Sequence, residues 1–203
     1  MLIATLPKIF KQEFPRLTSI VDCFEIFVER PSRLNARAQL WSNYKHHSTV
    51  KVFIACTPLG SVSYLSSVWG GRASDVNIVR QSDFISRKYH LHGDQILADR
   101  GFTLQEDFAT IGVELIMPSF TKGKKQLSAS EVDHSRRISS IRIHIERVIG
   151  LLRNRYRILK GPLKLTDIKC HKEEADNVDL CRIDKIVRVC ACLANLGEGI
   201  ICK

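Results

Sequence analysis

A chain of 203 residues that is 44% hydrophobic carries enough apolar material for one sizeable core, which excludes an intrinsically disordered protein. Its net charge of +10 favours a polyanionic partner, nucleic acid ahead of an acidic membrane surface, over a merely basic soluble protein. No apolar run reaches the length of a membrane span, and the apolar N-terminus is broken by proline and three Lys or Arg by Arg16, so neither a spanning segment nor a secretory signal is expected.

The predicted elements follow in chain order. "TSIVDCFEIFVERP", from Thr18, is rich in β-branched and aromatic residues and predicts a strand that stops at Pro31. "STVKVFIACTPLGSVSYLSSVW" contains two strand-like runs around Pro58-Leu59-Gly60, a hairpin. After Gly70 and Gly71, Ser74 or Asp75 offers an N-cap for a helix through about Ser86. "DQILAD" reads as a short buried strand with a tight exit at Asp99-Arg100-Gly101. A short helix from Thr103 to about Ile111 precedes a fifth strand, "VELIMP", and a basic polar loop, "FTKGKKQLSAS".

A long helix is predicted from near Ser130 to near Leu159. Its apolar residues Ile138, Ile141, Ile145, Ile149, Leu152, Tyr156 and Leu159 recur at three and four, one buried stripe, and Gly161-Pro162 supplies the stop. "RIDKIVRVCACLANL" predicts a further helix near the C-terminus. The order of elements implies a mixed five-stranded sheet flanked by helices, a three-layer α/β/α arrangement.

Seven cysteines, at 23, 56, 170, 181, 190, 192 and 202, form no CxxC pair. Cys170-His171 and Cys190-x-Cys192 lack zinc-module spacing, so reduced structural thiols in the nucleus or cytosol are expected.

Three carboxylates stand out by position. Asp22 lies inside the apolar first strand, where a charge is costly unless something positive meets it. Asp99 ends the buried strand, and strand ends are where sites form in open α/β sheets. Glu146 is the one acid between Arg136 and Lys160, among seven Arg and one Lys, one position off the apolar stripe. Oxygen donors of this kind suit hard divalent cations, and surrounding bases suit a phosphate backbone. Each also has a structural explanation: Glu146 as the partner of Arg142 or Arg153, Asp99 as a turn cap, Asp22 as a paired strand residue.

"IVDCFEIFVERPS", "WSNYKHHSTVKVFIACTPLGSVSYLSSVWGGRASD", "ILADRGF" and "RIHIERVIGLLRNRYRIL" resemble, in order, the DDE superfamily endonuclease domain of PIF/Harbinger-type transposases and their host-domesticated relatives. The resemblance runs from about Leu6 to Gly161 and implies an RNase H-like fold that cuts DNA with two divalent metal ions, Mg²⁺ or Mn²⁺. It implies an Asp, Asp, Glu triad at Asp22, Asp99 and Glu146, the last two separated by 46 residues. The Gly-x-x-Ser-Asp block falls on Gly71, Ser74 and Asp75; Asp75 is a rival for a metal-site role, read in preference as a helix cap or a group behind the metal ligands. Lys45, His46, His47 and Lys51 fall in "YKHHSTVK", either near the scissile phosphate or on a solvated strand edge. Lys45, Lys51, Arg142, Arg147 and Arg153 are the candidate DNA contacts.

The departures are Phe24, where the family usually has Thr, and the length ahead of Asp22. Family members place a helix-turn-helix region there, and only about twenty residues precede Asp22 here. The chain is therefore expected to be a fragment, a truncated copy or a domesticated remnant. Its divisions are expected at 1–17 (extension), 18–161 (nuclease domain) and 162–203 (helical tail packed on the domain). The implied setting is the nucleus, or else the cytoplasm, with DNA as substrate, a separate Myb-like DNA-binding protein as partner, and no membrane. The alternative is a catalytically inactive remnant that binds DNA or protein.

Overall fold

The computed structural model describes residues 8–118, 128–171 and 180–197. A short helix, α1 (Lys8–Glu13), leads into the long strand β1 (Leu17–Phe27). Then come α2 (Leu34–Leu40), β2 (Trp41–Ser42), the hairpin of β3 (His47–Cys56) and β4 (Val62–Leu65), and β5 (Trp69–Gly70). Helix α3 (Asp75–Gln81), β6 (Gln95–Leu97), α4 (Gln105–Ala109) and β7 (Glu114–Ile116) precede the long helix α5 (Ala129–Arg155). A 3-10 turn (Arg157–Lys160), a two-stranded pair β8 (Cys170–His171) and β9 (Leu180–Cys181), and α6 (Arg182–Asn195) follow.

The main sheet is ordered β2-β3-β1-β6-β7, with β4 and β5 also paired to β3. β3 runs antiparallel to β1, whereas β6 lies parallel to β1 and β7 parallel to β6. This mixed sheet with helices on its faces is the expected α/β architecture and is consistent with an RNase H-like fold.

Alternation along β1 divides the core between the two faces. Ile20, Phe24, Ile26 and Val28 pack with Ile138, Ile141, Ile145, Val148, Ile149 and Leu152 of α5, and with Ile183 and Val187 of α6. Val21 packs on the other face with Phe53, Ala55 and Ile96, and with Ile78, Val79 and Phe108 from α3 and α4. Asp22 lies two residues from both Ile20 and Phe24, so the pleat turns it towards α5.

Several boundaries differ from the sequence reading. β1 ends at Phe27 rather than Pro31, because Val28 bridges to Leu163 and the Leu163 N–H donates to the Phe27 carbonyl. α3 ends at Gln81 rather than Ser86. Ser82 is extended (φ −87°, ψ 161°), and its N–H and hydroxyl both cap carbonyls of the last turn. α2 has no amphipathic signature, since Leu40 is its one buried residue. The two-residue β2 and β5 enlarge the expected five-stranded sheet along β3. α5 gives way to the 3-10 turn at Tyr156 (φ −118°, ψ 94°), one turn before the expected end.

Gly161 (φ 72°) then makes the stop, where any side chain would collide with the Phe27 carbonyl. Residues 119–127, which hold most of the basic loop, and the acidic stretch 172–179 lie outside the described residues. Among the described residues no helix is long and apolar enough to cross a membrane.

Two substitutions on α5 should act in opposite directions. Ile145 is fully buried, so Ile145→Ala should cost about 2–5 kcal/mol. A side chain at Gly150 would meet open space, so Gly150→Ala should stabilise by about 0.5–1 kcal/mol. Urea unfolding of each variant checks both; a destabilised Gly150→Ala would contradict this description of the helix.

Candidate active site

β6 pairs with β1 only as far as Ile20–Leu97, while β1 continues to Phe27. The sheet therefore opens beside Asp22, Cys23, Phe24 and Glu25. A cleft of about 590 Å³ occupies that opening, and its walls bring together residues far apart in sequence. Asp22, Asp99 and Glu146 all line it, as do Asp75 and Glu25. Lys45, Lys51, Arg142 and Arg153 are the cations in its walls, and Tyr44 is at its rim.

Two side chains take up backbone groups along the open stretch of β1. The Cys23 N–H donates to Asp22 Oδ1 (2.8 Å), and Arg153 donates to the Glu25 carbonyl (2.6 Å). Asp22 is largely shielded from water, and burial raises its pKa to about 6. The Cys23 N–H and the Arg142 guanidinium oppose that rise, whereas Asp99 and Asp75 add to it as like charges.

Asp99 lies just past β6, in the tight exit the sequence predicts. Its Oδ1 accepts from the Arg100 N–H (2.7 Å) and from Arg142 (3.0 Å), and its carbonyl accepts from the Phe102 N–H. The turn-cap role and the cleft position therefore coexist in one residue. Glu146 is exposed on α5, one helical turn beyond Arg142, so both face the cleft. Among the described residues no ion pair joins Glu146 to Arg142 or Arg153: the first holds Asp99, the second the Glu25 carbonyl.

The opposite wall is a second charge cluster. Glu25 faces Lys51 across the β1–β3 pair. Lys51 Nζ lies 2.9 Å from Asp75 Oδ1, 3.0 Å from the Ala73 carbonyl and 4.0 Å from Glu25. Thr49 Oγ1 donates to Glu25 Oε2 (2.7 Å). Gly71 leaves room for this contact, since a side chain there would strike Thr49 Oγ1 and press on the Leu40 carbonyl.

The other residues named from the sequence have local contacts of their own. Ser74, not Asp75, caps α3: its side chain accepts from the Asn77 N–H. Asp75 is the partner of Lys51. Lys51 is not on a solvated strand edge, because its side chain is only 13% exposed and directed inward. Lys45 sits over the Tyr44 ring at the rim, and His47 packs edge-on against Phe27. Arg147 is exposed on α5 and is not part of the cleft wall.

Glu25 was not singled out in the sequence. The signal for it was the pairing of opposite charges across the β1–β3 register, which needs the register to be known. A larger cavity, about 680 Å³, lies between β4 and α6, but Asp83 there is tied to Tyr64 and Tyr89, and no other acid lines it among the described residues.

All five acids of the cleft present carboxylate oxygens, the donor type that suits Mg²⁺ or Mn²⁺. Among the described residues no three His, Cys, Asp or Glu side chains stand close enough to share one ion. The donor chemistry fits a hard divalent cation, and two cations of the walls already pair with acids there, Arg142 with Asp99 and Lys51 with Asp75.

A sequence model of the DDE superfamily endonuclease family matches residues 21–195. Comparison with curated proteins and with solved structures gave no match.

The buried charge of Asp22 sets a pH dependence. Its folded-state pKa is raised from 3.8 to about 6, so the folded protein binds a proton that the unfolded chain has released between those values. Stability without divalent ions should therefore fall as pH rises through that window, by at most about 3 kcal/mol from this group. Asp22→Asn should match wild type near pH 4 and be the more stable protein at pH 7. Urea unfolding with a chelator present checks this; a variant less stable at pH 7 would contradict it.

Proposed function

The chain belongs to the DDE superfamily endonucleases, and on that premise we propose that it is a divalent-metal-dependent DNA nuclease domain of transposase origin, of the PIF/Harbinger type. The observation that supports this is the convergence of Asp22, Asp99 and Glu146 on one cleft with cationic side chains in its walls. In this reading the three carboxylates are the ligands of two Mg²⁺ or Mn²⁺ ions. Two such ions, when bound, activate a water for in-line attack on a phosphodiester and stabilise the departing 3′ oxygen.

The protein's own part is positioning and charge. Asp22 enters from the middle of the sheet and Asp99 from its open end. Glu146 comes from a helix packed on the sheet by its apolar stripe. Phosphates of the bound strand would meet Lys45 at the rim and Arg142 and Arg153 in the wall, with Arg147 extending the basic track along α5. Lys51 is already committed to Asp75 and is better suited to fixing the wall than to meeting DNA. Asp75 and Glu25, tied to Lys51, orient the site from behind. This activity belongs to a protein working in the nucleus, where a separate Myb-like protein would supply DNA-end recognition. The nuclease unit is taken as 18–161, and of the segment that follows it α6 (Arg182–Asn195) packs on its core through Ile183 and Val187.

Purified protein, supercoiled plasmid and Mn²⁺ test the reading. Wild type should nick the plasmid and stop on chelation, and Asp99→Ala or Glu146→Gln should reduce the rate by about a hundredfold or more. No nicking by wild type, or equal nicking by Asp99→Ala, would refute it.

A further inference from the structure

We propose that Arg142 is a built-in counter-cation, which holds the carboxylate cleft in its ion-free arrangement and must leave Asp99 for a divalent ion to be bound. This inference rests on the reading of the cleft as a divalent-ion site. It concerns what stands in that site before loading.

The position of Arg142 follows from its place on α5. It precedes Glu146 by one helical turn, so the two side chains emerge side by side. The backbone of α5 is pinned to the sheet by Ile141 and Ile145, which are buried on either side of this stretch. The guanidinium is consequently carried into the cleft, where its side chain is only 13% exposed and NH1 lies 3.0 Å from Asp99 Oδ1. The same charge opposes the rise of the Asp22 pKa, so it acts on both aspartates.

The contact with Asp99 is incomplete. A guanidinium carries five N–H donors in a planar fork and pairs best with two oxygens at once. Here one carboxylate oxygen is engaged, and Nε is buried without a hydrogen-bond partner among the described residues. A buried donor left unmatched weakens the net value of the pair. The arrangement is therefore one that a better-matched cation can displace.

Charge count points the same way. Asp22, Asp99 and Glu146 together bring three negative charges, and Arg142 returns one. A divalent ion returns two and accepts oxygens from several directions, which a planar fork does not. Among the described residues no three carboxylates stand at ion-sharing distance, and one oxygen of Asp99 is occupied by Arg142. The other wall cations are not equivalent. Arg153 is bound to a backbone carbonyl, and Lys51 is held by Asp75, Glu25 and the Ala73 carbonyl. Once withdrawn from Asp99, Arg142 remains tethered one turn from Glu146, within the same cleft and free to meet a phosphate.

Calorimetric titration with Mn²⁺, in the absence of DNA, compares wild type with Arg142→Gln and with Arg136→Gln. Arg136 is 79% exposed near the start of α5, and its replacement removes the same charge without touching Asp99. Arg142→Gln should bind Mn²⁺ more tightly than wild type by about fivefold or more, whereas Arg136→Gln should stay within about twofold of it. In wild type, the assigned Arg142 Nε–H resonance should shift on saturation with Mg²⁺; this measurement decides the matter if Arg142→Gln does not fold. Equal or weaker affinity in a folded Arg142→Gln, or an unmoved resonance at saturating Mg²⁺, would overturn the role of Arg142 and leave the ion site standing. No ion binding by wild type or either variant would overturn this proposal together with the nuclease reading.

Discussion

The site depends on a mismatch in strand length. β1 has 11 residues and β6 has three, and β6 is bonded to β1 only near its start. Past Ile20 the sheet has an open edge on one side of β1, while β3 continues to pair with the other side down to Phe27. The strand is thus held firmly and yet presents an opening. Unsatisfied backbone at such an opening is costly in a protein interior, and here side chains meet it: Asp22 takes the Cys23 N–H and Arg153 takes the Glu25 carbonyl. The residues that satisfy the edge are the same residues that line the cleft.

A carboxylate on the core-facing side of β1 follows from that geometry and works against stability. Asp22 occupies a position flanked by Ile20 and Phe24, where an apolar side chain would pack against α5. Burial resists its charge, and neighbouring Asp99 and Asp75 resist it further. The fold tolerates the cluster by placing a cation in each wall, Arg142 on the α5 side and Lys51 on the α3 side. Buried or half-buried ion pairs of this kind are weak sources of stability, but leaving either partner alone is expensive. The arrangement makes sense as a site whose charges are held ready for a ligand, a requirement that commonly opposes stability in functional regions.

Much of this was legible in the sequence because it depends on local pattern. The apolar stripe of α5 fixed which face of the helix meets the sheet, and so placed Glu146 beside the core rather than opposite it. Asp22 was conspicuous because an acid is costly inside an apolar strand, and Asp99 because the chain must leave the sheet at Asp99-Arg100-Gly101. What could not be read were relations across elements. The pairing of Arg142 with Asp99 spans 43 positions and requires the rotation of α5 about its axis. The Glu25–Lys51 pair requires the β1–β3 register. α2 escaped notice because its burial is confined to Leu40 at its end, and the early stop of α3 because Ser82 caps carbonyls without a Gly or Pro to announce it.

In the proposed function, carboxylates from β1, from the exit of β6 and from α5 form one divalent-ion site. Crystals soaked in Mn²⁺ and measured for anomalous scattering test it most directly. Anomalous density is expected between the carboxyl groups of Asp22 and Asp99, within reach of Glu146. Manganese bound only at other acids of the surface, with that cleft still bridged by Arg142 and empty of ions, would contradict it.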